Sequence, residues 1–425
     1  MSDRHPADDC VHCGFCLPVC PTYLAWGEEM DSPRGRIDLV RALRSGAIPP
    51  SSEAVRHLDR CLGCMACLAA CPSGVRYDRV IEEARGLVER TAPRTRLERV
   101  RRRLLFWLLP YPPRLRVAAF FLWLYRVTGL RLLVRSLGLL RLSPLLRQMD
   151  GLAPELRFRD VGAALPLFTA AEGERRGRVA LVTGCVQRVF FPGVNEATVR
   201  VLAAEGFEVA VPPRQGCCGA LSMHTGRLEE ARRFARALVE ALDGTGADFV
   251  LVNAAGCGSH LKDLSLLFGG DPFAERAAAF SRRVRDVTEF LAAQPPRGQR
   301  HPLPGKVAYH SPCHLGHAQK IQEAPRALLR AIPGLELVEV PEPDQCCGSA
   351  GVYNLLEVEA ANEIGARKAR NILATGAPYL ASANPGCTLH VKRLLREQGV
   401  TLEAAHPIEI LDASLRGKPL PRRGG

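Results

Sequence analysis

The sequence of 425 residues lacks most of the short motifs that mark catalytic sites. It has no Gly-x-Gly-x-x-Gly after a strand pattern, no Gly-x-x-x-x-Gly-Lys-Ser/Thr loop, no nucleophile elbow and no His-Glu-x-x-His. These absences exclude a recognisable nicotinamide or flavin site, and we expect no catalytic residue in this chain. The chain therefore cannot take two electrons from an organic substrate by itself, so a partner must supply them.

Long apolar runs and targeting signals are also missing. The longest apolar run lies between Arg116 and Arg126, well short of the roughly 18 residues that a membrane-spanning helix needs. The polar, acidic N-terminus lacks the apolar core of a secretory signal. We therefore expect a cytoplasmic protein, peripheral at the inner face of the cell membrane. In such a reducing compartment cysteines are more often metal ligands than disulfides.

The composition is otherwise ordinary, but the positive charge is concentrated in one place. Hydrophobic residues make up 47% and charged residues 24%, close to the globular average, which excludes wholesale disorder. The formal net charge is +13, and most of it lies in 91–150, where thirteen arginines accompany only Glu98 and Asp150 as acidic residues. The rest of the chain is nearly neutral.

The same stretch is apolar and carries two of the three tryptophans, Trp107 and Trp123. A basic amphipathic element of this kind docks on a partner subunit, lies on an anionic membrane surface, or packs on its own protein as a helical linker. These three interpretations remain open. No nucleic-acid-binding module is recognisable, so we expect no nucleic acid partner.

The length predicts two or three domains, and composition divides the chain into six segments. The stretch QPPRGQRHPLPG is rich in Pro and Gly and is expected to be a linker. The segments are a cysteine-dense head at 1–90, a basic, apolar, helical docking segment at 91–177, a first cysteine-rich repeat at 178–293, the linker at 294–305, a second repeat at 306–412 and a flexible tail at 413–425.

The two repeats match each other motif by motif. VALVTGC, which ends at Cys185, matches VAYHSPC, which ends at Cys313, and each copy continues with a Cys-Cys-Gly turn and a later Gly-Cys. Each copy alternates strands with helices, with the first helices predicted at 196–205 and 324–331. This alternation is typical of a small parallel α/β unit, whose sites lie at the ends of strands.

The head contains two complete cysteine runs of the bacterial ferredoxin type, each Cys-x2-Cys-x2-Cys-x3-Cys-Pro. In such runs three closely spaced cysteines bind one iron-sulfur cluster and the fourth binds the other cluster. The spacing assigns one [4Fe-4S] cluster to Cys10, Cys13, Cys16 and Cys71, and a second to Cys61, Cys64, Cys67 and Cys20. Zinc sites or buried thiols are the alternatives, although zinc motifs usually consist of two separated pairs.

The long insertion between these runs predicts a helix, with Ser32 as its N-cap and Pro33 as its first residue. This favours a helical ferredoxin domain. Arg34 and Arg36 lie at the same helix start and are candidates to offset the negative charge of a cluster, the alternative being that they are simply solvated. We therefore predict a multidomain α+β fold, in which an N-terminal helical di-cluster ferredoxin domain precedes two repeated α/β cysteine-rich units.

The other eight cysteines divide equally between the repeats: Cys185, Cys217, Cys218 and Cys257 in the first, and Cys313, Cys346, Cys347 and Cys387 in the second. Because desolvated thiolates need a cation, the two tetrads are candidate sites for a further cluster or zinc. A redox-active dithiol at each Cys-Cys pair, or plain buried cysteine, is the alternative. His260, His314 and His390 lie beside these cysteines as candidate ligands or as packed histidines.

These motifs resemble a known family over nearly the whole chain apart from 91–175. The head motifs CVHCGFCLPVCPTY and DSPRGRI, with the repeat motifs QGCCGALSMHTG, YHSPCHLGHAQKI and DQCCGSAGVYNLLE, resemble the iron-sulfur subunit of glycolate oxidase. The chain is more loosely similar to other cysteine-rich (CCG) domain proteins, which include the iron-sulfur subunit of anaerobic glycerol-3-phosphate dehydrogenase, the lactate-utilisation protein and heterodisulfide reductase subunits.

The resemblance implies an electron-transfer subunit of an oxidoreductase complex. Such a subunit accepts electrons from an FAD-containing subunit that oxidises glycolate to glyoxylate, and passes them through two [4Fe-4S] clusters toward a quinone at the membrane. Another 2-hydroxy acid or glycerol-3-phosphate as the oxidised substrate, a thiol/disulfide reductase, and a redox-sensing binding protein are the alternatives. Heterodisulfide reductase subunits end the repeat motif with two closely spaced cysteines, whereas Cys257 and Cys387 each stand alone, which disfavours a five-cysteine cluster.

Overall fold

The head of the chain is helical. The computed structural model describes residues 5–162 and 164–421, so the last four residues of the predicted tail, 422–425, lie outside the described residues. Short 3-10 turns at Pro6–Asp9 and Glu29–Asp31 accompany the helices of the head. These helices are α1 (Pro21–Trp26), α2 (Pro33–Arg44), α3 (Ser52–Asp59), α4 (Ala66–Ala70) and α5 (Tyr77–Thr91).

The start of α2 confirms the predicted cap. Ser32 Oγ accepts a hydrogen bond from the Gly35 amide at 3.0 Å, and Pro33 occupies the first turn, where its missing N–H costs nothing. The apolar face of α2, including Ile37 and Val40, packs with Ile81 of α5 in a small buried core. This core fixes the two cysteine runs relative to each other.

The basic segment continues as five helices within the described residues: α6 (Arg96–Leu108), α7 (Pro112–Val127), α8 (Leu130–Ser136), α9 (Pro144–Leu152) and α10 (Phe158–Val161). Asp150 on α9 ties them together, because its carboxylate binds Arg131 at 3.0 Å and Arg135 at 2.6 Å on α8. In the described part of the chain, no single helix is long and apolar enough to cross a membrane; only α7 and α8 taken together, bent by 70°, satisfy that test.

One face of the basic segment packs on the rest of the chain. Leu115 and Ala119 of α7 are buried against Val189 of the first repeat. Gln148 of α9 donates a hydrogen bond to the Asn354 carbonyl of the second repeat at 3.0 Å. The segment therefore joins both repeats, while its other face is exposed.

The first repeat contains a five-stranded sheet. Its strands are β1 (Phe168–Thr169), β2 (Gly177–Val182), β3 (Phe207–Ala210), β4 (Phe249–Val252) and β5 (Val284–Asp286). Its helices are α11 (Val186–Phe190), α12 (Pro192–Ala204), α13 (Ala220–Met223), α14 (Leu228–Asp243), α15 (Ala255–Lys262), α16 (Leu264–Leu267), α17 (Ala274–Arg283) and α18 (Val287–Ala292).

The second repeat contains a four-stranded sheet. Its strands are β6 (Gly305–His310), β7 (Leu335–Glu339), β8 (Tyr379–Ser382) and β9 (Glu403–Ala405). A π-helical turn at His314–Ala318 follows Cys313. The helices are α19 (Glu323–Arg330), α20 (Tyr353–Leu356), α21 (Val358–Leu373), α22 (Pro385–Glu397) and α23 (Pro407–Leu415).

The two sheets confirm the internal repeat. The strand order β3-β2-β4-β5 of the first repeat recurs as β7-β6-β8-β9, and these neighbours are parallel in both sheets. The register also recurs, since Val179 pairs with Val209 and Phe249, and its equivalent Val307 pairs with Leu337 and Tyr379. The first sheet additionally carries β1, which pairs antiparallel with β3.

The repeats share one hydrophobic core. Helix α12 of the first repeat packs on α23 of the second, and α18 packs on α19. Val201 of α12 and Ile408 of α23, both nearly inaccessible to solvent, lie in the same buried cluster. A salt bridge of 2.8 Å between Arg200 and Asp412 crosses the boundary. The loops after the strands of both sheets consequently meet in one region.

Candidate metal centres

The head forms two small cavities, and each is bordered by the first three cysteines of one run together with the fourth cysteine of the other run. The first is lined by Cys10, Cys13, Cys16 and Cys71. The second is lined by Cys20, Cys61, Cys64 and Cys67. Cys67 lies between the two cavities and also borders the first. The structure thus places the fourth cysteine of each run beside the first three cysteines of the other run.

The loops that carry the first three cysteines of each run have the same backbone conformation. His12 and Gly14 have positive φ angles of 56° and 84°, and Gly63 and Met65, at the equivalent places, have angles of 62° and 64°. Residues other than glycine rarely adopt this conformation, so His12 and Met65 are held in it by their surroundings. Each loop therefore curls around a compact space bordered by thiols, which suits an iron-sulfur cluster.

An arginine lies against each of these loops. A Cβ atom on Gly14 would lie 3.3 Å from Arg34 Nη1, and one on Gly63 would lie 3.2 Å from Arg85 Nη1. Arg34 also forms a salt bridge of 2.6 Å with Glu29, and Arg85 donates a hydrogen bond to the Cys61 carbonyl. The sequence analysis missed Arg85, because the symmetry between the two loops becomes visible only when α5 is placed beside the second one.

Arg36 borders the second cavity and is fully buried. Its guanidinium donates to the His57 carbonyl at 2.7 Å and to Thr22 Oγ1 at 3.0 Å, and it pairs with the buried Asp31 at 3.1 Å. Burial alone would raise the pKa of Cys61, but Arg36 and Arg85 outweigh it and hold that pKa below its usual value. The two arginines thus favour the thiolate form of Cys61, which is the form that binds a metal.

The cysteines of each repeat converge from three separate loops. Sγ atoms lie 3.6 Å apart for Cys185 and Cys217, and 3.2 Å apart for Cys218 and Cys257. In the second repeat the Cys313 and Cys346 Sγ atoms are 3.9 Å apart, and Asn384 donates to Cys387 Sγ at 3.1 Å. These separations exceed a disulfide bond length of about 2.05 Å, and all eight cysteines are free thiols.

The second tetrad has two cationic or ligating neighbours that the first lacks. His310, at the end of β6, offers a ring nitrogen within 4.8 Å of the Cys347 and Cys387 thiols. Lys368 is buried beside Cys346 and Cys347, where it donates to the Glu342 carbonyl at 2.7 Å. The matching positions in the first repeat are Val182 and Leu238. Neither residue was predicted from the sequence, because the repeat alignment shows only that polar residues replace apolar ones at these positions and not that they lie beside the thiols.

The histidines that were predicted as candidate ligands divide into two groups. His260 and His390 lie behind the Cys-Cys-Gly turns, because a Cβ atom on Gly219 or Gly348 would lie 3.3 Å from their Nε2 atoms. His390 also bonds the Ala361 carbonyl at 3.1 Å. His314 instead lines the space between the repeats, with its ring 5.1 Å from that of His224. His260 and His390 thus support the turns.

All eight repeat cysteines border a single large cavity of about 770 Å³. The tetrads form one end of it. The other end is lined by apolar side chains of the basic segment, among them Leu122 on α7 and Leu140 and Met149 near α9. The cavity also reaches Cys61 and Leu62 of the second head site.

The second head site adjoins the second repeat. Leu62 and Cys64 pack in one apolar cluster with Cys346 and Tyr353, and the Tyr353 hydroxyl donates to the Arg60 carbonyl at 3.0 Å. Burial and the nearby Cys313 thiol both raise the pKa of Cys64. The thiols of the head and of the second repeat are therefore neighbours across a buried apolar boundary.

Three known families match four stretches of the chain. Residues 6–75 match a 4Fe-4S dicluster domain, and residues 179–262 and 307–392 match a cysteine-rich domain. Residues 97–153 match the linker region of the glycolate oxidase iron-sulfur subunit. The basic segment therefore has a family signature of its own.

Whole-chain comparisons agree with these matches. The chain is 38% identical over 411 residues to the probable glycolate oxidase iron-sulfur subunit of Bacillus subtilis (strain 168), covering 95% of this chain and 93% of that protein. It is 35% identical to the glycolate oxidase iron-sulfur subunit of Escherichia coli (strain K12), covering 96% and 93%. Lactate utilization protein A of Oceanobacillus iheyensis is 28% identical and covers 56% of this chain and 98% of its own length.

Proposed function

The chain belongs to the family of glycolate oxidase iron-sulfur subunits, and from this premise we propose how it carries electrons. It is the electron-transfer subunit of a glycolate oxidase complex. In our proposal it accepts electrons from an FAD-containing subunit that oxidises glycolate to glyoxylate. It then passes them through two [4Fe-4S] clusters toward a quinone.

The crossed arrangement of the head cysteines carries this proposal. Cys10, Cys13 and Cys16 share a cavity with Cys71, while Cys61, Cys64 and Cys67 share one with Cys20. We assign these sets as the ligands of the first and second cluster. A bound [4Fe-4S] cluster supplies reversible one-electron transfer, and its potential depends on burial, hydrogen bonds to sulfur and nearby charge.

The residues around the second site shield it from solvent better than those around the first site do. Its cysteines are buried, and Arg36 and Arg85 place positive charge beside Cys61. The first site is more open, since Cys13 is exposed and Val11 and Phe15 nearby are 68% and 64% exposed. We propose that the FAD-containing subunit docks on this apolar rim, because electrons must enter where a donor can approach.

The contact between Cys64 and the second repeat supports a direction for the relay. Electrons that reach the second head site would next meet Cys313 and Cys346 across an apolar boundary. We propose that the repeat tetrads hold a further metal centre, because buried thiolates suit iron-sulfur clusters or zinc and need a cation. Lys368 and His310 make the second tetrad the stronger candidate.

The exposed face of the basic segment supports a peripheral position at the inner face of the membrane. Leu132 and Leu142 are 73% and 80% exposed, and arginines such as Arg141 and Arg147 lie among them. Apolar side chains interspersed with arginines bind anionic lipid surfaces. We therefore propose that the face away from the repeats lies on the membrane.

Counting metal on the anaerobically purified complex tests the relay. About eight irons per chain, with the spectra of two interacting cubanes, would support two clusters and leave zinc or thiols in the repeats. Twelve or more irons would place a further cluster in the repeats. Fewer than about four irons after anaerobic preparation, with no signal on reduction by glycolate, would refute the electron-transfer role.

Two matched variants test the crossed ligand sets. Cys71→Ala should remove the signal of the first cluster and spare the second, whereas Cys20→Ala should do the reverse. Electron paramagnetic resonance of the reduced protein distinguishes the two signals. If Cys71→Ala instead removed the cluster of its own run, the assignment would be wrong.

A further inference from the structure

The cavity between the repeats has an end that metal binding does not explain. The cysteine tetrads account for one end of its 770 Å³, but leucine and methionine side chains cannot ligate a metal. Binding sites for organic molecules typically have volumes of about 300–1,000 Å³ and mostly apolar walls with a few polar groups. The cavity as a whole therefore has the size of a site for an organic ligand, and its apolar end has the chemistry of one.

Three helices of the basic segment build this apolar end. Ala118 and Leu122 come from α7, Val134 comes from α8, and Leu152 comes from α9. Each of these side chains is partly shielded from solvent, and Asp150 holds α8 and α9 at the cavity through its two arginine partners. These contacts therefore hold the helices that form the wall in fixed positions.

The mouth of the cavity opens on the exposed apolar face. Leu139, Leu146 and Met149 line the cavity and are 42%, 50% and 46% exposed, so they belong to both the wall and the surface. Arg141 and Arg147 lie beside them in the sequence. A ligand that dissolves in a lipid bilayer could pass from the membrane face into the cavity without crossing water.

Tyrosine and histidine side chains that can form hydrogen bonds line the cavity. Tyr125 lines its apolar part, and its hydroxyl donates to Asp150 Oδ1 at 3.3 Å. His224 and His314 line the part near the cysteines, and His224 Nδ1 lies 3.5 Å from Glu82 Oε1. A flat ring with carbonyl oxygens fits between such groups and the leucines, whereas a hydrophilic acceptor would leave the apolar wall uncovered.

We propose that the apolar end of this cavity binds a lipophilic quinone, which is reduced there. The inference rests on the proposed function, because the electrons reach the site through the clusters of this chain. In the reaction glycolate oxidation in the FAD-containing subunit would supply two electrons, the clusters of this chain would pass them on one at a time, and one quinone would take them with two protons from solvent to form a quinol. No bond to the protein forms, and the quinol leaves through the same mouth.

Photolabelling of the complete complex with a short-chain azidoquinone tests the proposal directly. We expect label on the peptides that contain Tyr125, Leu140 and Met149, and we expect an excess of decylubiquinone to displace it. Label confined to the head or to the outer surface of α8, or label that decylubiquinone does not displace, would overturn the proposal. The map needs no variant, so it does not depend on whether a variant folds.

Variants with a larger side chain provide the second test. Leu122→Trp and Leu140→Trp should each reduce azidoquinone labelling by about tenfold or more, since a bulky ring competes for the same apolar volume. Leu132→Trp, on the same segment but 73% exposed and outside the lining, is the matched control and should label normally. Equal labelling of all three variants would overturn the proposal.

A separate readout distinguishes this inference from the proposed function. This readout is cluster reduction by glycolate in the unmodified complex, followed by electron paramagnetic resonance, because it does not depend on where the quinone binds. If clusters are reduced by glycolate but quinone labels elsewhere, only the quinone site is wrong. If glycolate reduces no cluster in the unmodified complex, the proposed function itself fails.

Discussion

The two arginines at the start of α2 show how burial decides the role of a side chain. Arg34 is partly exposed and pairs with Glu29, whose side chain is 43% exposed. Arg36, two residues later, is buried and satisfies Asp31, Thr22 and the His57 carbonyl. From the sequence both arginines received the same candidate role, because their spacing alone does not reveal which one lies on the inner face of the helix.

Removing these two arginines should therefore have very different effects. Arg36→Leu should destabilise the protein by about 3–5 kcal/mol, because Asp31 and the His57 carbonyl lose a fully buried donor, although Arg60 still pairs with Asp31 at 3.0 Å. It should also lower the reduction potential of the second cluster, since a positive charge is lost beside Cys61. Arg34→Leu should cost less than about 1 kcal/mol. Chemical denaturation and redox titrations of both variants test this, and equal costs would contradict it.

Glu357 is a partly buried carboxylate whose ionisation works against the fold. Burial and the nearby Asp59 raise its pKa to about 7, although Arg101 and Arg102 partly oppose this. The folded protein therefore holds this proton at pH values where the unfolded chain has lost it. Stability from this group is greatest below the unfolded pKa near 4.5 and falls as pH rises toward 7.

Glu357→Gln should remove that pH dependence. The variant should be more stable than the unmodified protein at pH 8, by on the order of 1 kcal/mol after solvent screening of this partly buried group. At pH 5 the difference should shrink toward zero, because the carboxyl is then largely protonated in the folded protein. Thermal unfolding at both pH values measures this, and a larger benefit at pH 5 would reverse the assigned sign.

At the scale of elements, the structure confirms one interpretation of the basic segment, internal packing, while docking on a membrane or on a partner stays a prediction for its exposed face. Leu115 and Phe106 are buried against the repeats, so one face packs internally. The opposite face carries exposed leucines such as Leu132 and Leu142. Hydrophobicity along the sequence could not separate the faces, because apolar residues occur on both.

The exposed face gives a prediction for membrane binding. The double variant Leu132→Glu/Leu142→Glu should weaken binding to vesicles of phosphatidylcholine and phosphatidylglycerol by about tenfold or more, since one leucine contributes roughly 1.5 kcal/mol. Leu266→Glu, on α16 of the first repeat and 40% exposed, should bind like the unmodified protein. Sedimentation with vesicles measures both. Unchanged binding with loss of the flavin subunit would instead identify this face as a subunit interface.

The segment 294–305 was predicted to be a linker, but its residues make well-defined tertiary contacts. The Arg297 amide donates to Glu205 Oε2 at 2.7 Å, and Arg300 forms a salt bridge of 2.7 Å with the same buried carboxylate. Leu303 lies in the core shared by the repeats. Pro and Gly correctly indicated an irregular backbone, but irregular backbone can still be fixed by tertiary contacts.

At the scale of the whole molecule, the shared core predicts that the repeats unfold together. Ile408→Ala should cost about 2–5 kcal/mol, because Ile408 is almost fully buried between α12 and the second sheet. Hydrogen exchange of β2 and β6 should rise together in this variant, although Ile408 belongs to the second repeat only. Val100→Ala, 63% exposed on α6, is the control and should change neither. Faster exchange in β6 alone would show that the repeats are independent.

Much of the fold followed from local pattern. The start of α2, the parallel α/β repeats and the position of cysteines after strands were predicted correctly, because capping residues and hydrophobic periodicity act over a few residues. The helix predicted at 196–205 begins earlier, at Pro192, since proline at the first turn was not used as a start signal. The second predicted helix, 324–331, is α19 with a shift of one residue.

The sequence by itself determined the chemistry of this protein, because cysteine spacing of three or four residues specifies which thiols can wrap one cluster. It also determined the repeat, since equal spacings require equal strands and loops. Only the tertiary structure decided that the tetrads of both repeats share one cavity with helices of the basic segment. It alone placed Arg85, His310 and Lys368 beside thiols. The physical reason is distance along the chain: such contacts arise from packing between remote elements, and no local pattern encodes them.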